Sequence, residues 1–174
     1  KKDGSYSKVT VFKDGLNLVS GIEVGHGGVW VGAAPEFLFI PKDADDKAGQ
    51  PVVLLDGWGF HDTHETLNDF IWGPDGWLYF QEGVFLHTQV ETQHGMVRNF
   101  NGGVYQFNPR SGEFRIFAKV NVGNPWGHVF DRWGQDFVTD ATGADTYYAL
   151  TFNGHVDFPR KHGRPPKPYQ QRTR

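Results

Sequence analysis

The stretch WGPDGWLYF, Trp72 to Phe80, places the turn Gly-Pro-Asp-Gly between two short apolar and aromatic runs. Gly76 supplies the backbone freedom that a tight turn needs, so the stretch predicts a β-hairpin. Two further stretches carry the same kind of signal, SGIEVGHGGVWVGAAP at 20–35 and GHVFDRWGQDFVTDATG at 127–143. Because the three hairpins recur about every 50 residues, the chain is predicted to consist of structural repeats.

A second predicted hairpin follows each of the three, which gives four strands in every repeat. Four strands at this period are typical of β-propeller blades. We therefore predict an all-β fold, a partial β-propeller with about three four-stranded blades (20–59, 68–122 and 124–158) of a six-bladed ring. Residues 1–158 would form this propeller and 159–174 a basic, proline-rich connector. An all-β sandwich with a similar number of strands is the alternative.

Composition limits the classes of function. The 174 residues are enough for one domain, and 23 Gly with 10 Pro suit short strands joined by turns. The absence of cysteine excludes disulfides, thiolate metal sites and a Cys-x-x-Cys-His haem attachment within this chain. The basic C-terminal run has too few aromatic residues for base stacking, so no nucleic-acid partner is predicted. The start at Lys1 predicts that the chain is a piece of a longer protein.

The densest group of titratable side chains precedes the second predicted blade. It consists of His61, Asp62, His64 and Glu65, in a loop expected at one end of the propeller channel. A histidine can act as a general base near neutral pH when a carboxylate holds its tautomer. We predict that at least one of these histidines acts as a base or contacts a ligand, with His61 on the substrate. The alternative is one exposed histidine and one bonded to a neighbouring loop.

A second group lies in LHTQVETQHGMVRN (86–99), which is predicted as a long loop inside the second blade. Long loops on a rigid scaffold are often functional. Arg98 is predicted to help bind a cofactor, because its guanidinium can grip an anion with two hydrogen bonds. The alternative is an ion pair with Glu91 or Glu82. Glu82 is also a candidate contact for the substrate.

The stretch GNPWGH (123–128) enters the third predicted blade. Trp126 beside the amide of Asn124 suits a sugar ring or a flat cofactor, so both are predicted to contact the cofactor. His128 is predicted to contact the substrate. The alternative is that Trp126 packs between blades.

The stretch KDADDKAGQ (42–50) offers Asp43 and Asp45 as weak candidates for a metal site. The twelfth residue of an EF-hand loop counted from Asp43 would be Leu54 rather than glutamate, so this is not an EF-hand. An acidic hairpin turn is the alternative that the pattern favours.

A family resemblance rests on HETLNDFIWGPDGWLYFQEG (64–83) together with NPWGHVFDRWGQDFVTDATG (124–143). These stretches resemble the soluble glucose/sorbosone-dehydrogenase type of six-bladed propeller. Residues 8–170 are similar to a group from planctomycetes and related bacteria that is labelled membrane-bound dehydrogenases. Such proteins often add helical repeats and a c-type haem domain. The resemblance implies a quinoprotein oxidoreductase that oxidises a sugar or another alcohol.

The resemblance also implies roles for individual residues. In the sugar dehydrogenases a histidine shortly before Gly-Pro-Asp takes the proton of the substrate hydroxyl, and pyrroloquinoline quinone accepts the hydride. His64 matches that histidine, and we expect Asp62 to orient it. Asn124 matches an asparagine that contacts the quinone, whereas Gly123 stands where the family has an arginine. Calcium is implied as a second cofactor.

Two further hypotheses remain beside the enzyme. The first is a propeller that binds carbohydrate or a protein without catalysis, which Gly123 in place of the arginine favours. The second is a purely structural propeller. If the enzyme hypothesis holds, the resemblance implies a periplasmic or cell-surface location. It also implies further propeller blades and a c-type cytochrome domain as partners.

Overall fold

The computed structural model describes residues 3–119 and 123–148, and the backbone alone of 169–172. Every regular element in these ranges is a β-strand, and all strand pairs are antiparallel. The prediction of an all-β fold is therefore confirmed. Over the same ranges the chain forms no helix that could cross a membrane.

Three four-stranded sheets follow one another along the chain. The first sheet contains β1 (Val19–Gly25), β2 (Gly28–Ala33), β3 (Glu36–Pro41) and β4 (Val52–Asp56), paired in sequence order. The next six strands are β5 (Asn68–Trp72), β6 (Leu78–Glu82), β7 (His87–Thr92), β8 (Gly95–Phe100), β9 (Gly103–Phe107) and β10 (Phe114–Ala118). The second sheet has the order β5, β6, β9, β10, and β7 pairs with β8 as a separate hairpin. The third sheet contains β11 (Pro125–Phe130), β12 (Asp136–Asp140), β13 (Asp145–Tyr148) and β14 (Tyr169–Arg172).

These sheets have the arrangement of propeller blades. Each is an antiparallel meander, and the first strands of successive sheets are in contact, β1 with β5 and β5 with β11. Three blades of a partial β-propeller are thus confirmed as the fold. The strand β14 lies within 159–174, so part of the segment predicted as a connector pairs with the third sheet. The blade boundaries and the division into a propeller and a connector stay predictions.

The turn of the opening stretch closes the β5–β6 hairpin. Gly73 N donates to Trp77 O at 2.8 Å, and the Asp75 carboxylate accepts from Trp77 N at 3.1 Å. Gly76 adopts a φ of +79°, which glycine reaches without steric cost. A tight turn at this position therefore follows directly from the sequence.

Aromatic side chains fill the contact between the first and second blades. The rings of Phe37 and Phe80 lie 5.2 Å apart, and Trp58 lies 5.1 Å from Tyr105. Burying one such side chain completely contributes about 1.5–3 kcal/mol. Gly21 permits the close approach of β1, because a Cβ there would lie 2.3 Å from the ring of Phe70. This packing fixes the positions from which the connecting loops emerge.

The hairpin β7–β8 replaces the long loop predicted at 86–99. Its burial alternates along the chain, with Leu86, Thr88 and Val90 buried and Gln89 and Glu91 exposed. That alternation is the period-2 pattern of a strand with one buried face. The hairpin is an insertion between β6 and β9, and it packs beside β4.

Candidate functional site

Several connections meet at one end of the blades, which we call the loop face. It is formed by residues 57–67, 83–86, 101–102, 123–124 and 141–144, whereas the tip of the β7–β8 hairpin lies at the other end of the blade, beside Ser111. Three backbone hydrogen bonds join these connections: Gly83 N to Glu65 O (3.0 Å), Val84 N to Gly123 O (3.2 Å) and Ala141 N to Asn124 O (2.8 Å). The loop face therefore brings together segments that are far apart in the sequence and belong to two blades.

A histidine and a buried carboxylate lie side by side on the loop face. His64 Nδ1 is 3.1 Å from Glu65 Oε1; the side chain of His64 is 71% exposed and that of Glu65 only 2%. Neither oxygen of Glu65 accepts a hydrogen bond from any described residue. The pKa of Glu65 is raised, because the effect of burial is larger than the opposing effect of nearby His64. The contact places a carboxylate beside the imidazole and leaves most of the His64 side chain open to a ligand.

Glycines enclose the carboxylate of Glu65. A Cβ at Gly83 would lie 2.2 Å from Glu65 Oε2 and 2.8 Å from the carbonyl oxygen of Gly123. Only a residue without a side chain leaves room for the carboxylate here, since real Cβ atoms do not approach so closely. The position of the Glu65 carboxylate therefore depends on residues that follow it by many positions in the sequence.

Asp62 has a different place from the predicted one. Its Oδ1 accepts a hydrogen bond from the backbone N of His64 at 3.1 Å, and its carbonyl accepts one from Glu65 N at 3.1 Å. These bonds form the turn that presents His64, as Asp often does in turns. The carboxylate next to the imidazole is that of Glu65. The sequence places Glu65 in the same group of residues, but it does not indicate that Glu65 is buried.

Trp126 lies beside His64. Their ring centroids are 6.0 Å apart with an interplanar angle of 36°, and Trp126 is 41% exposed. The structure therefore brings together two of the predicted site residues and leaves part of the indole exposed beside the imidazole. An open aromatic face next to a polar group suits the apolar face of a sugar ring.

Asn124 contributes to the structure of the loop face. Its side-chain amide donates to the hydroxyl of Thr142, and its backbone N donates to Asp140 Oδ1 at 3.0 Å. Burial by itself would raise the pKa of Asp140, but backbone N–H donors from Asn124, Thr142 and Gly123 outweigh it and lower that pKa. Asn124 and Asp140 thus join the two connections of the third blade.

Glu82 is buried inside the second blade, and not on the loop face. Its carboxylate accepts from the hydroxyl of Tyr105 and, at 2.7 Å, from that of Thr88. Asn99 donates to the hydroxyl of Tyr105 at 2.8 Å, and the backbone N of Gly59 donates to that of Thr88 at 3.1 Å. Burial raises the pKa of Glu82 to about 7. The network connects the hairpin β7–β8 to the second sheet and leaves no surface for a substrate.

His128 is also buried. Its Nε2 lies 3.5 Å from Asp136 Oδ2, and its ring contacts Tyr79 at a centroid distance of 5.4 Å. Neither ring nitrogen forms a hydrogen bond with a described residue. His128 lies between the second and third blades, so the prediction of a substrate contact is not supported by its position.

Arg98 and His61 lie on and beside the hairpin β7–β8. The guanidinium of Arg98 donates to Gln89 Oε1 at 2.9 Å, and it forms no ion pair within the described part of the chain. His61 is exposed, and its ring lies 5.8 Å from that of His87. Neither side chain contacts the His64–Glu65 pair.

The acidic stretch at 42–50 forms a turn. Asp43 Oδ1 accepts backbone hydrogen bonds from Asp45 (2.9 Å) and Lys47 (2.8 Å), and Lys47 pairs with Asp45 at 3.5 Å. Across residues 3–119 and 123–148, no three His, Asp or Glu side chains are grouped so that they could hold a metal ion. The acidic hairpin turn, left open by the sequence, is what the structure contains here.

Comparisons with known proteins concern the fold. Two solved structures are similar to this chain. One is described as a gluconolactonase by assignment. It is 13% identical to this chain, with a TM-score of 0.43, and the match covers 82% of this chain and 63% of that chain. The other is a luciferin-regenerating enzyme, 14% identical with a TM-score of 0.40, covering 80% and 61%. This chain thus spans less than two thirds of the length of either protein.

No curated protein matches the chain at a significant level. A family model described as a domain of unknown function, DUF7133, matches residues 1–172, and the chain therefore belongs to that family.

Proposed function

We propose that the loop face binds a sugar or another alcohol and that His64 acts as the general base in its oxidation. The observation that carries the proposal is the exposed imidazole with Nδ1 at 3.1 Å from a buried carboxylate. A histidine oriented in this way is suited to proton abstraction near neutral pH. Trp126 supports the choice of substrate, because its open ring lies beside the imidazole.

The roles of the residues follow from their positions. His64 Nε2 takes the proton of the substrate hydroxyl, and Glu65 stabilises the positive charge that this leaves on the imidazole. The carboxylate is effective because it is buried, where water screens its charge weakly. A positioned general base contributes typically about 10²–10⁴-fold in rate. The turn at Asp62 and the missing side chain at Gly83 hold the pair in position without touching the substrate.

The oxidation also needs a hydride acceptor, and the resemblance proposes pyrroloquinoline quinone with Ca²⁺. The described residues do not fit such a site. Gly123 replaces the expected arginine, the amide of Asn124 is bonded to Thr142, and Arg98 is bonded to Gln89. Residues 3–119 and 123–148 also contain no cluster of carboxylates and histidines for a metal ion. The acceptor is thus proposed from the resemblance alone, and no step is assigned to it.

A second candidate function is a propeller that binds carbohydrate or protein without catalysis. The same contacts favour it, because the side chains of Asn124 and Asp140 are occupied by bonds within the loop face. In that case His64 and Trp126 would form a binding surface, with the carboxylate of Glu65 beside the imidazole.

The setting of the protein is proposed from the resemblance as well. We place it in the periplasm or at the cell surface, with a small sugar or alcohol as its ligand. Further propeller blades and a c-type cytochrome domain are the proposed protein partners. Labelling of intact cells with a reagent that does not cross membranes tests the location.

Reduction of a dye by the full protein, with a panel of sugars and alcohols, tests the enzyme. The assay is run with and without pyrroloquinoline quinone and Ca²⁺, for wild type, His64→Ala and the exposed-histidine control His94→Ala. We expect His64→Ala to lose about 10²–10⁴-fold in rate and His94→Ala to match wild type. Equal rates in all three proteins would overturn the role of His64. Sugar binding by calorimetry without dye reduction under any condition would favour the second candidate.

A further inference from the structure

The hairpin β7–β8 distinguishes the second blade from the other two. In the first blade, β2 and β3 are joined by residues 34–35 alone, and in the third, β12 and β13 are joined by 141–144. The corresponding connection of the second blade is 83–102, which contains the whole hairpin. Insertions on one face of a rigid scaffold are where binding residues are commonly found. The exposed side of this insertion is therefore a candidate surface for a ligand.

Aromatic rings form a continuous row from this hairpin to the connection that carries His64. His87 on β7 is paired with Phe100 on β8, and their ring centroids are 4.8 Å apart. His87 contacts His61 at 5.8 Å, and His61 stacks with Phe60 at 6.1 Å with an interplanar angle of 12°. We call these four residues the aromatic shelf. Phe60 and Phe100 are 52% and 54% exposed, so ring surface remains open to solvent at both ends.

Hydrogen-bonding groups follow the shelf along the same side of the hairpin. The next paired residues are Gln89 and Arg98, which are exposed and bonded to each other at 2.9 Å. At this bond Arg98 uses Nε, and its terminal nitrogens have further donors. The surface thus offers ring faces first and then amide and guanidinium groups. A chain of sugar units presents the same two features, apolar C–H faces and hydroxyl groups.

A strained residue at the edge of the shelf supports a binding role. Phe85 has a φ of +64°, a left-handed conformation that is rare for a bulky residue. Its backbone N donates to Asn101 Oδ1 at 3.3 Å, and its side chain is 66% exposed. Strain of this kind costs about 1–3 kcal/mol and is concentrated at binding and active sites. Here another aromatic ring is exposed to solvent, and Phe85 is bonded to the residue that follows Phe100.

We propose that the aromatic shelf is a binding subsite for a carbohydrate chain of several units, which extends from the His64 site across the hairpin β7–β8. The inference rests on the proposed function for the class of ligand, and it makes that ligand an oligosaccharide rather than a single sugar. His61 and His64 lie in the same connection, so one chain can contact both places. The shelf itself contains no acidic side chain that would favour a basic protein partner.

Binding measured without turnover tests the subsite. Glucose and the cello- and malto-oligosaccharides of two to six units are titrated into the full protein by calorimetry. For wild type we expect the affinity to rise with chain length by at least tenfold between one and four units. Phe60→Ala and Phe100→Ala should remove that gain and leave the affinity for glucose unchanged. Trp133→Ala is the control, since Trp133 is 75% exposed but lies on the β11–β12 turn, away from the shelf.

The outcomes separate this inference from the proposed function. Affinity independent of chain length, or a gain that survives both phenylalanine variants, would overturn the subsite. Circular dichroism and thermal unfolding are compared first, so that a misfolded variant is not counted as a loss of binding. A gain that depends on Phe60 and Phe100 supports the subsite, even if His64→Ala oxidises sugars as fast as wild type. In that last case only the role of His64 as a base fails.

Discussion

Glu82 predicts a pH dependence of stability that one substitution should remove. Its pKa is raised from 4.5 to about 7 because it is buried, although Tyr105 and Thr88 donate to it. A folded-state pKa above the unfolded one means that the proton stabilises the fold at low pH. This stabilisation is complete below pH 4.5 and is lost as the pH rises through 7. The loss amounts to about 3 kcal/mol of unfolding free energy, at about 1.4 kcal/mol per pKa unit.

Glu82→Gln should remove this loss. Glutamine is neutral at every pH, its oxygen can accept from Tyr105, and its amide can donate to the hydroxyl of Thr88. We expect the variant to resemble wild type near pH 5 and to be more stable than wild type by about 3 kcal/mol at pH 8. The buried Glu65 and the half-buried Asp69 also have raised pKa values, so some pH dependence of the same sign remains.

Urea unfolding followed by tryptophan fluorescence between pH 5 and 8 provides the measurement. Glu91→Gln is the matched control, because Glu91 is exposed on the hairpin β7–β8. Its unfolding free energy should follow that of wild type at each pH. If Glu82→Gln keeps the wild-type pH dependence, the carboxyl of Glu82 is not the group that binds the proton. If Glu91→Gln loses it as well, the effect belongs to the net charge and not to burial.

Three further predictions concern the loop face and the blade contacts. Gly83→Ala should displace the Glu65 carboxylate and lower sugar oxidation about as much as His64→Ala; an unchanged rate would show that the position of Glu65 is unimportant. Glu65→Gln should lower that rate but raise the unfolding free energy at pH 8, because burial raises the pKa of Glu65. Urea unfolding measures this free energy, and a decrease at pH 8 would contradict the prediction. Gly21→Ala should destabilise the fold by about 1–3 kcal/mol through contact with Phe70, and equal midpoints in thermal unfolding would contradict this.

The fold was predictable because its signals are local. Each blade begins with a hairpin whose turn residues are adjacent in the sequence, as at Gly73–Gly76. The hairpin β7–β8 was not predicted, because its turn lacks Asn-Gly or Asp-Gly and its alternating residues are largely polar. The strand β14 was not predicted either, since glutamine and arginine have no strong preference for strands. These three strands are defined by their pairing with other segments, and the sequence of a single segment does not encode that pairing.

The site was predictable only in part, for a related reason. His64 and Trp126 could be found because loops between blades carry exposed polar and aromatic residues. The burial of Glu82 and His128 depends on how neighbouring sheets pack, and nothing next to them in the sequence indicates it. Glu65, and not the predicted Asp62, lies beside the imidazole for a similar reason. The space for its carboxylate is left by Gly83, which belongs to another connection.

The two buried glutamates show why Glu65, and not Glu82, belongs to the candidate site. Both are excluded from water, but Glu82 accepts hydrogen bonds from two hydroxyls and Glu65 accepts none from the described residues. A buried carboxylate without donors costs stability, and native structures retain few such groups. The network around Glu82 gains stability from its bonds and therefore needs no ligand to explain it. The carboxylate of Glu65 has no such bonds within the described residues, and an exposed imidazole lies 3.1 Å from its Oε1. In the proposed function, the imidazole that becomes protonated during the reaction compensates the charge of this buried carboxylate.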